Sequence, residues 1–442
     1  MTAVSAPGKV LLAGGYLVLD RAYTGLVFGL SARIHVLVRD RDASSSAESQ
    51  RPEVVVQSPQ FRDASWTYSY QLKTEKGGVD VIQLPGASRN PFVETALGYA
   101  LTYISSVLLS PINPTSVTIL ADNDYYSQPS GSSTNSGNSN ANGNTHFTDF
   151  GVRLQDAHKT GLGSSAALVT ALTGAFLTHH LPPSAFSLST AHGRARLHNL
   201  AQAAHCAAQG KVGSGFDVAA AVYGTCVYRR FSPSLLSSLG ETGSPGFASR
   251  VRKLVDDEDS IWDTQVTKEG VAIPPGTALV MCDVDCGSQT VSMVKSVLAW
   301  RTSEPEGSKA LWDSLQVSNE VLGRMLAEGR RQEDLEKAFA DVRKKIREMG
   351  DRSGVPIEPV EQTKLLDALT KGVSGVVGGV VPGAGGYDAV ALLVKDDKET
   401  LEELNSFLAK WSMEKKENLK LLGAKGELEG ARQEPEEIYS GF

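Results

Sequence analysis

The stretch Lys159-Thr-Gly-Leu-Gly-Ser-Ser-Ala-Ala-Leu168 constrains this chain more than any other. Its left side is glycine-rich and its right side favours a helix. Leu168, Leu172, Ala175 and Phe176 extend it in an i, i+4, i+7, i+8 stripe, and Val152–Gln155 before it alternates as a strand. The glycines therefore belong to a turn that opens a helix. The first amides of a helix lack internal acceptors, and the aligned peptide dipoles make that end positive. Glycine lets an anion approach the backbone, and Ser164 and Ser165 add hydroxyls for a phosphate or a metal. A serine-capped helix after a flexible turn fits the same residues equally well.

The chain has 442 residues, more than one ordinary core accommodates, so two domains are expected, 1–230 and 231–442. With 41% hydrophobic and 21% charged residues the composition is that of a globular protein. A net charge of −7 and the lack of a long basic run argue against nucleic-acid binding. No leader-like N-terminus or membrane-length apolar run is evident, so no membrane association and a cytoplasmic location are expected. Cys206, Cys226, Cys282 and Cys286 are too scattered for a disulfide framework, and no histidine accompanies the last two as a zinc site would require.

In chain order, Pro7-Gly8 is a turn, Lys9 follows it, and Val10–Leu12 is a buried strand. Lys9 is either a solvated strand-edge charge or a cation facing a cleft. Residues 25–39 read as paired strands, and Val54–Val56, Trp66–Leu72 and Val117–Leu120 as further strands. A helix is expected over Phe92–Leu109, with Pro91 at its first position. Ser127–Asn144 is nearly all Ser, Asn and Gly and reads as a disordered insertion. A helix over Ser189–Gln209 stops at Gly210. In Lys211-Val-Gly-Ser-Gly-Phe-Asp217, Asp217 is a helix N-cap, an active-site carboxylate, or both. The domain junction falls within 232–276. Ala278–Val284, Gly375–Val381 and Ala389–Val394 are strands, helices dominate Thr290–Leu369, and a charged helix, Glu399–Met413, precedes a polar tail. The order predicts an α+β fold.

No P-loop and no Rossmann glycine fingerprint is present. Instead, Ala6-Pro-Gly-Lys-Val-Leu-Leu12, Gly161-Leu-Gly-Ser-Ser-Ala-Ala167 and Val381-Pro-Gly-Ala-Gly-Gly-Tyr-Asp388 occur in that order. They resemble the three motifs of the GHMP kinases, a family that includes galactokinase, homoserine kinase and mevalonate kinase. With Gly213-Ser-Gly-Phe-Asp217, they most resemble the fungal-type members that act on phosphomevalonate. The resemblance implies a two-domain GHMP kinase fold, with an N-terminal domain like ribosomal protein S5 domain 2 and a ferredoxin-like C-terminal domain. It implies transfer of the ATP γ-phosphate to phosphomevalonate with Mg²⁺, in isoprenoid and sterol synthesis, by a monomer or homodimer. An alcohol-phosphorylating relative such as mevalonate kinase, a related decarboxylase and an inactive metabolite sensor remain as alternatives.

Residue roles follow from the same resemblance. Lys9 and Asp217 match the family's reactive pair. Gly161, Leu162, Gly163, Ser164, Ser165 and Ala166, with Lys159 before them, are expected to hold the ATP phosphates, and Ser165 the Mg²⁺. Lys9, Ser214, Ser288, Thr290, Gly385 and Gly386 are expected on the acceptor side. Arg194, Arg196 and Lys211 flank the matched loops as further candidate cations. One departure stands out. Mevalonate kinase takes a Glu ligand for Mg²⁺ from the helix before its catalytic Asp, whereas Ala204-His-Cys-Ala-Ala-Gln-Gly210 holds no acid. A phosphate monoester has a second pKa near 6, so such an acceptor is already mostly a dianion at neutral pH. The expected burden is then charge stabilisation by Lys9 rather than proton removal by Asp217.

Overall fold

A computed structural model describes residues 1–41, 51–108, 111–127, 146–284, 290–415 and 418–442. The first half contains β1 (Thr2–Ala13), β2 (Gly25–Asp40), β3 (Glu53–Gln57), β4 (Ser65–Leu72), β5 (Val79–Gln83), α1 (Pro91–Val107), β6 (Thr115–Ala121), β7 (Tyr126–Ser127), β8 (His158–Lys159), α2 (Ser164–His180), α3 (Ala191–Gln209), α4 (Phe216–Tyr223) and β9 (Cys226–Arg229). Then come α5 (Ser234–Ser237), α6 (Phe247–Asp256), β10 (Gln265–Thr267), β11 (Thr277–Val284), α7 (Thr290–Ser303), α8 (Pro305–Ala327), α9 (Gln332–Ser353) and α10 (Val360–Gly372). The last elements are β12 (Val376–Val380), β13 (Ala389–Lys395), α11 (Lys398–Lys415), β14 (Leu419–Glu427) and β15 (Arg432–Gln433).

Thirteen strands form one sheet organised on β2. One edge of β2 pairs antiparallel with β1 from Leu26 to Val38. Its other edge is shared by β9 at Gly25–Val27, β14 at Gly29 and Leu30, and β6 at Ile34–Asp40. Residues 25–39 are thus one long strand, not two. At Gly29 a side chain would meet the Glu427 carbonyl at 3.0 Å and Gly224 at 3.3 Å. The glycine admits neighbouring backbone rather than ending the strand.

α2 packs on β1 and β2 and is flanked by α1, α3 and α4. It is buried almost all round, Ala166, Ala167, Val169, Ala171, Leu172, Ala175, Phe176 and Leu177 included, while Leu168 is only partly buried. The expected single stripe was too narrow, because a helix apolar on every face belongs inside. In the second half, Ala278, Val280, Cys282 and Val284 of β11 face α10 and α11, and Leu279 and Met281 face the main core. The expected polar tail is instead strand: β14 pairs with both β11 and β2 and so joins the two halves of the sheet. The expected strand Val152–Gln155 is reduced to one bridge, Arg153 to Arg62, and a 3₁₀ turn at Leu154–Asp156. An Arg153–Asp156 ion pair of 2.9 Å closes that turn. Apart from Ser127, which ends β7, the expected insertion Ser127–Asn144 lies outside the described residues. Among the described residues no helix is long and apolar enough to cross a membrane.

Candidate active site

Two helices begin beside Lys9. α2 has Gly163 as its N-cap at φ 84°, and α4 has Gly215 at φ 84°, neither with a side-chain cap. Left-handed glycine thus takes the cap position on both helices, where the sequence also allowed a serine cap on α2 and Asp217 on α4. Ser164 and Ser165 lie in the first turn of α2, and Asp217 in the first turn of α4. Such a start leaves amides directed outward at a positive helix end, which suits an anion.

Lys9 links the two starts. Its backbone N–H donates to the Leu162 carbonyl at 2.9 Å. Its Nζ donates to the Gly161 carbonyl at 3.3 Å and stands 5.7 Å from the centre of the Phe216 ring. Burial lowers the Lys9 pKa from the ordinary lysine value, and the negative charge of Asp217 partly opposes this. The C-terminal glycine loop closes the opposite wall. The Gly383 N–H donates to the Leu11 carbonyl at 3.0 Å, and the Tyr16 hydroxyl donates to the Ala384 carbonyl at 2.7 Å. Gly385 has φ 82°, and a Cβ there would lie 2.2 Å from the Ile357 carbonyl oxygen, so no other residue fits. Lys9, Gly161, Ser214, Gly383, Gly385 and Asp388 line one cavity of about 320 Å³, with Met281 and Val294 as apolar wall.

Of the other sequence-marked residues, Gly163, Ser164, Ser165 and Asp217 do not line this cavity. The Leu162 and Ala166 side chains are buried in the core, leaving backbone as what they can offer a ligand. Lys159 is exposed on β8 and is not among the cavity-lining residues. Gly386 donates its N–H to the Ile357 carbonyl at 2.9 Å and is likewise outside the lining. Ser288 lies outside the described residues, as does Cys286, and Thr290 is the first residue of α7. Lys211 is exposed. Arg196 pairs with Asp256 at 3.1 Å, and Arg194 lines a separate cavity of about 1100 Å³ beside α3. That larger cavity contains neither helix start nor glycine loop, so its size alone does not make it the reaction site.

The GHMP kinases N-terminal domain family matches residues 150–225, which include both helix starts. A phosphomevalonate kinase from Gibberella zeae is 56% identical over 100% of this chain and 98% of its own length. The chain belongs to the phosphomevalonate kinase family of GHMP kinases. A relative from Arabidopsis thaliana, named as a peroxisomal phosphomevalonate kinase, is 32% identical over 90% of each chain. The solved Streptococcus pneumoniae phosphomevalonate kinase, in complex with phosphomevalonate and AMPPNP, shares the fold with a TM-score of 0.62 at 15% identity, covering 97% of this chain and 100% of that one. The architecture is thus the two-domain α+β fold of the GHMP kinases.

In this phosphomevalonate kinase family member, sequence reasoning missed His205. It occupies the stretch of α3 noted for lacking an acid, and it is buried. Its Nε2 is 3.1 Å from the Ser165 hydroxyl, and its Nδ1 is 3.8 Å from Asp217 Oδ2. It thereby spans the first turns of α2 and α4. The available signal was its place on the helix immediately before the Asp217 loop, but a histidine within an apolar helix reads first as core. Asp388 was quoted within the third motif without a role; it lines the cavity, and its Oδ1 is buried without a hydrogen-bond partner. The Ser165 hydroxyl is a hard oxygen donor at the start of α2, and it fits Mg²⁺, which usually takes one or two protein oxygens and completes its shell with phosphates and water.

Proposed function

We propose that this cleft transfers the γ-phosphoryl group of ATP to the phosphate of phosphomevalonate, giving diphosphomevalonate and ADP. The observation that carries the reading is Lys9, a half-buried cation between two glycine-capped helix starts in a cavity closed by the C-terminal glycine loop. The family membership identifies the acceptor. An oxygen of the acceptor phosphate attacks Pγ, the bond from Pγ to the bridging oxygen breaks, and ADP leaves. No proton need be removed from an acceptor that is already a dianion. What must be supplied is positioning and positive potential between two anions. The α2 start, with Gly161–Ala166, holds the ATP phosphates through backbone amides. Lys9 stands between donor and acceptor, Asp217 steers Lys9, and Ser214 with Gly385 borders the acceptor. Mg²⁺, held by Ser165, would neutralise charge on the ATP phosphates.

Residues 1–230 would supply the nucleotide side and 231–442 the wall that closes on the acceptor. A cytoplasmic location is the working assignment, to be checked by fractionation because the Arabidopsis relative is named peroxisomal. ADP release should be measured with phosphomevalonate, mevalonate, homoserine and galactose, with carbon dioxide followed in parallel. Turnover on phosphomevalonate without carbon dioxide supports the reading, and turnover on mevalonate alone overturns it. Lys9→Met is expected to lower kcat far more than Asp217→Asn. Equal and very large losses would instead make Asp217 an obligatory base.

A further inference from the structure

A second group of side chains converges beyond the kinase cleft. His35 lies on β2, Asp122 just after β6, and His146 where the described chain resumes after β7. The Nε2 of His35 is 3.1 Å from Asp122 Oδ1, and the Nε2 of His146 is 3.0 Å from the same oxygen. One ligand atom from each residue falls within 4.8 Å of the other two. His35 and Asp122 are buried, whereas His146 is exposed.

The two inner residues are held from behind. The Nδ1 of His35 is 2.8 Å from the Tyr439 hydroxyl. Asp122 Oδ2 accepts the Arg33 backbone N–H at 2.8 Å. Phe147 packs edge-on against both histidines, with centroid distances of 5.0 Å to His35 and 4.4 Å to His146. An imidazole fixed through its far nitrogen, beside a carboxylate with its own hydrogen bond, is how metal ligands are commonly oriented. The Tyr439 hydroxyl can donate or accept. It can therefore leave the His35 proton on Nε2 facing Asp122, or take it on Nδ1 while Nε2 binds a metal.

We propose that His35, Asp122 and His146 form a divalent transition-metal site of the zinc class, separate from the Mg²⁺ chemistry of the kinase cleft. Two imidazole nitrogens and one carboxylate oxygen suit Zn²⁺, whereas Mg²⁺ and Ca²⁺ prefer oxygen donors. Bonds of about 2.0–2.1 Å in tetrahedral geometry place ligand atoms roughly 3.4 Å apart. The two nitrogen–carboxylate pairs need to open by only a few tenths of an ångström from the 3.0 and 3.1 Å seen here, and the two imidazole nitrogens lie within 4.8 Å of each other. Three protein ligands leave a fourth position for water. The ion would clasp the chain at His146, and through Tyr439 the C-terminal turn, onto β2.

The test uses the tag-free full chain, stripped with chelator and titrated with Zn²⁺ alone by calorimetry, with bound metal counted after gel filtration. About one Zn²⁺ per chain is expected, with a rise in Tm because the ion binds only the folded state. His146→Ala, at an exposed position, should lose the bound ion and the Tm rise while keeping MgATP-dependent turnover. Tyr439→Phe keeps all three ligands and should weaken Zn²⁺ binding about 10–100-fold. Co²⁺ in place of Zn²⁺ should give the visible bands of a four-coordinate site. Failure of the wild-type chain to bind stoichiometric Zn²⁺, or equal binding by His146→Ala, overturns the proposal and leaves a hydrogen-bonded His–Asp–His cluster.

Discussion

Gly163→Ala tests whether the glycine loop exists to make room for Lys9. The backbone there has φ 84°, and an L side chain in that region costs about 1–2 kcal/mol. Gly161→Ala, at φ 75°, carries the same penalty. The two positions differ in what the new methyl meets. At Gly161 nothing lies within 4 Å, whereas at Gly163 the Cβ would lie 2.9 Å from Lys9 Cε and 3.1 Å from Lys9 Cγ. Ordinary contact begins near 3.4 Å, so Cε must retreat by about 0.5 Å (3.4 − 2.9). Cε cannot retreat without moving the Nζ bonded to it, which here donates to the Gly161 carbonyl at 3.3 Å. A 1 Å misplacement can cost about 100-fold in rate, so half that distance predicts a loss on the order of tenfold, or about 1.4 kcal/mol. Urea unfolding should show both variants destabilised by about 1–2 kcal/mol. In an ADP-release assay at saturating substrates, only Gly163→Ala should show the further tenfold loss of kcat. Equal kcat values in the two variants would refute the reasoning.

Three further outcomes are expected. Tyr16→Phe removes the donor to the Ala384 carbonyl, costing about 1–2 kcal/mol and loosening the C-terminal glycine loop, so KM for the acceptor should rise more than kcat falls; a change confined to the KM for ATP would contradict that placement. His205→Ala should lower kcat about tenfold by releasing Ser165, and His205→Gln, whose amide can replace Nε2, should recover much of it; recovery no better than His205→Asn would reduce His205 to packing. Burial pulls His198 from 6.5 down to about 4, so the unfolded chain binds the extra proton between those values. The stability at stake, up to about 3 kcal/mol, is present above pH 6.5 and lost as pH falls toward 4. Urea titrations across that range should be flatter for His198→Gln, with His180, also lowered to about 4 by burial, supplying a remaining slope; an unchanged slope counts against His198.

The fold was legible wherever local chemistry decides structure. Asn90-Pro91 marks the start of α1, with the Asn90 side chain accepting the Val93 N–H at 3.3 Å. Gly210 ends α3 in the left-handed conformation. Long-range pairing was not legible. Leu419-Lys-Leu-Leu-Gly-Ala-Lys-Gly-Glu427 has two glycines and two lysines and no strong strand preference. It becomes β14 because β11 and β2 offer it open edges on either side. Such pairing is a property of the sheet and not of nine neighbouring residues.

The same distinction governs the active site. A backbone phosphate cradle needs glycine at left-handed caps and close approaches, and those requirements leave marks in the sequence at Gly163, Gly215 and Gly385. A counter-charge leaves no comparable mark, because its use depends on where the fold carries it. Lys159 adjoins the cradle in sequence, yet it is exposed and outside the cavity lining. Lys9 is 152 residues from Gly161 in sequence, yet its Nζ reaches that carbonyl. His205 follows the same logic: its partners Ser165 and Asp217 come from two other helices, so only the packing of α2, α3 and α4 reveals the link. In a chain with a net charge of −7, attraction for two phosphorylated substrates must therefore be local. On the proposed function it would come from oriented helix amides and from Lys9, which is half-buried and so acts at a lower dielectric than bulk water, rather than through the charge of the whole protein.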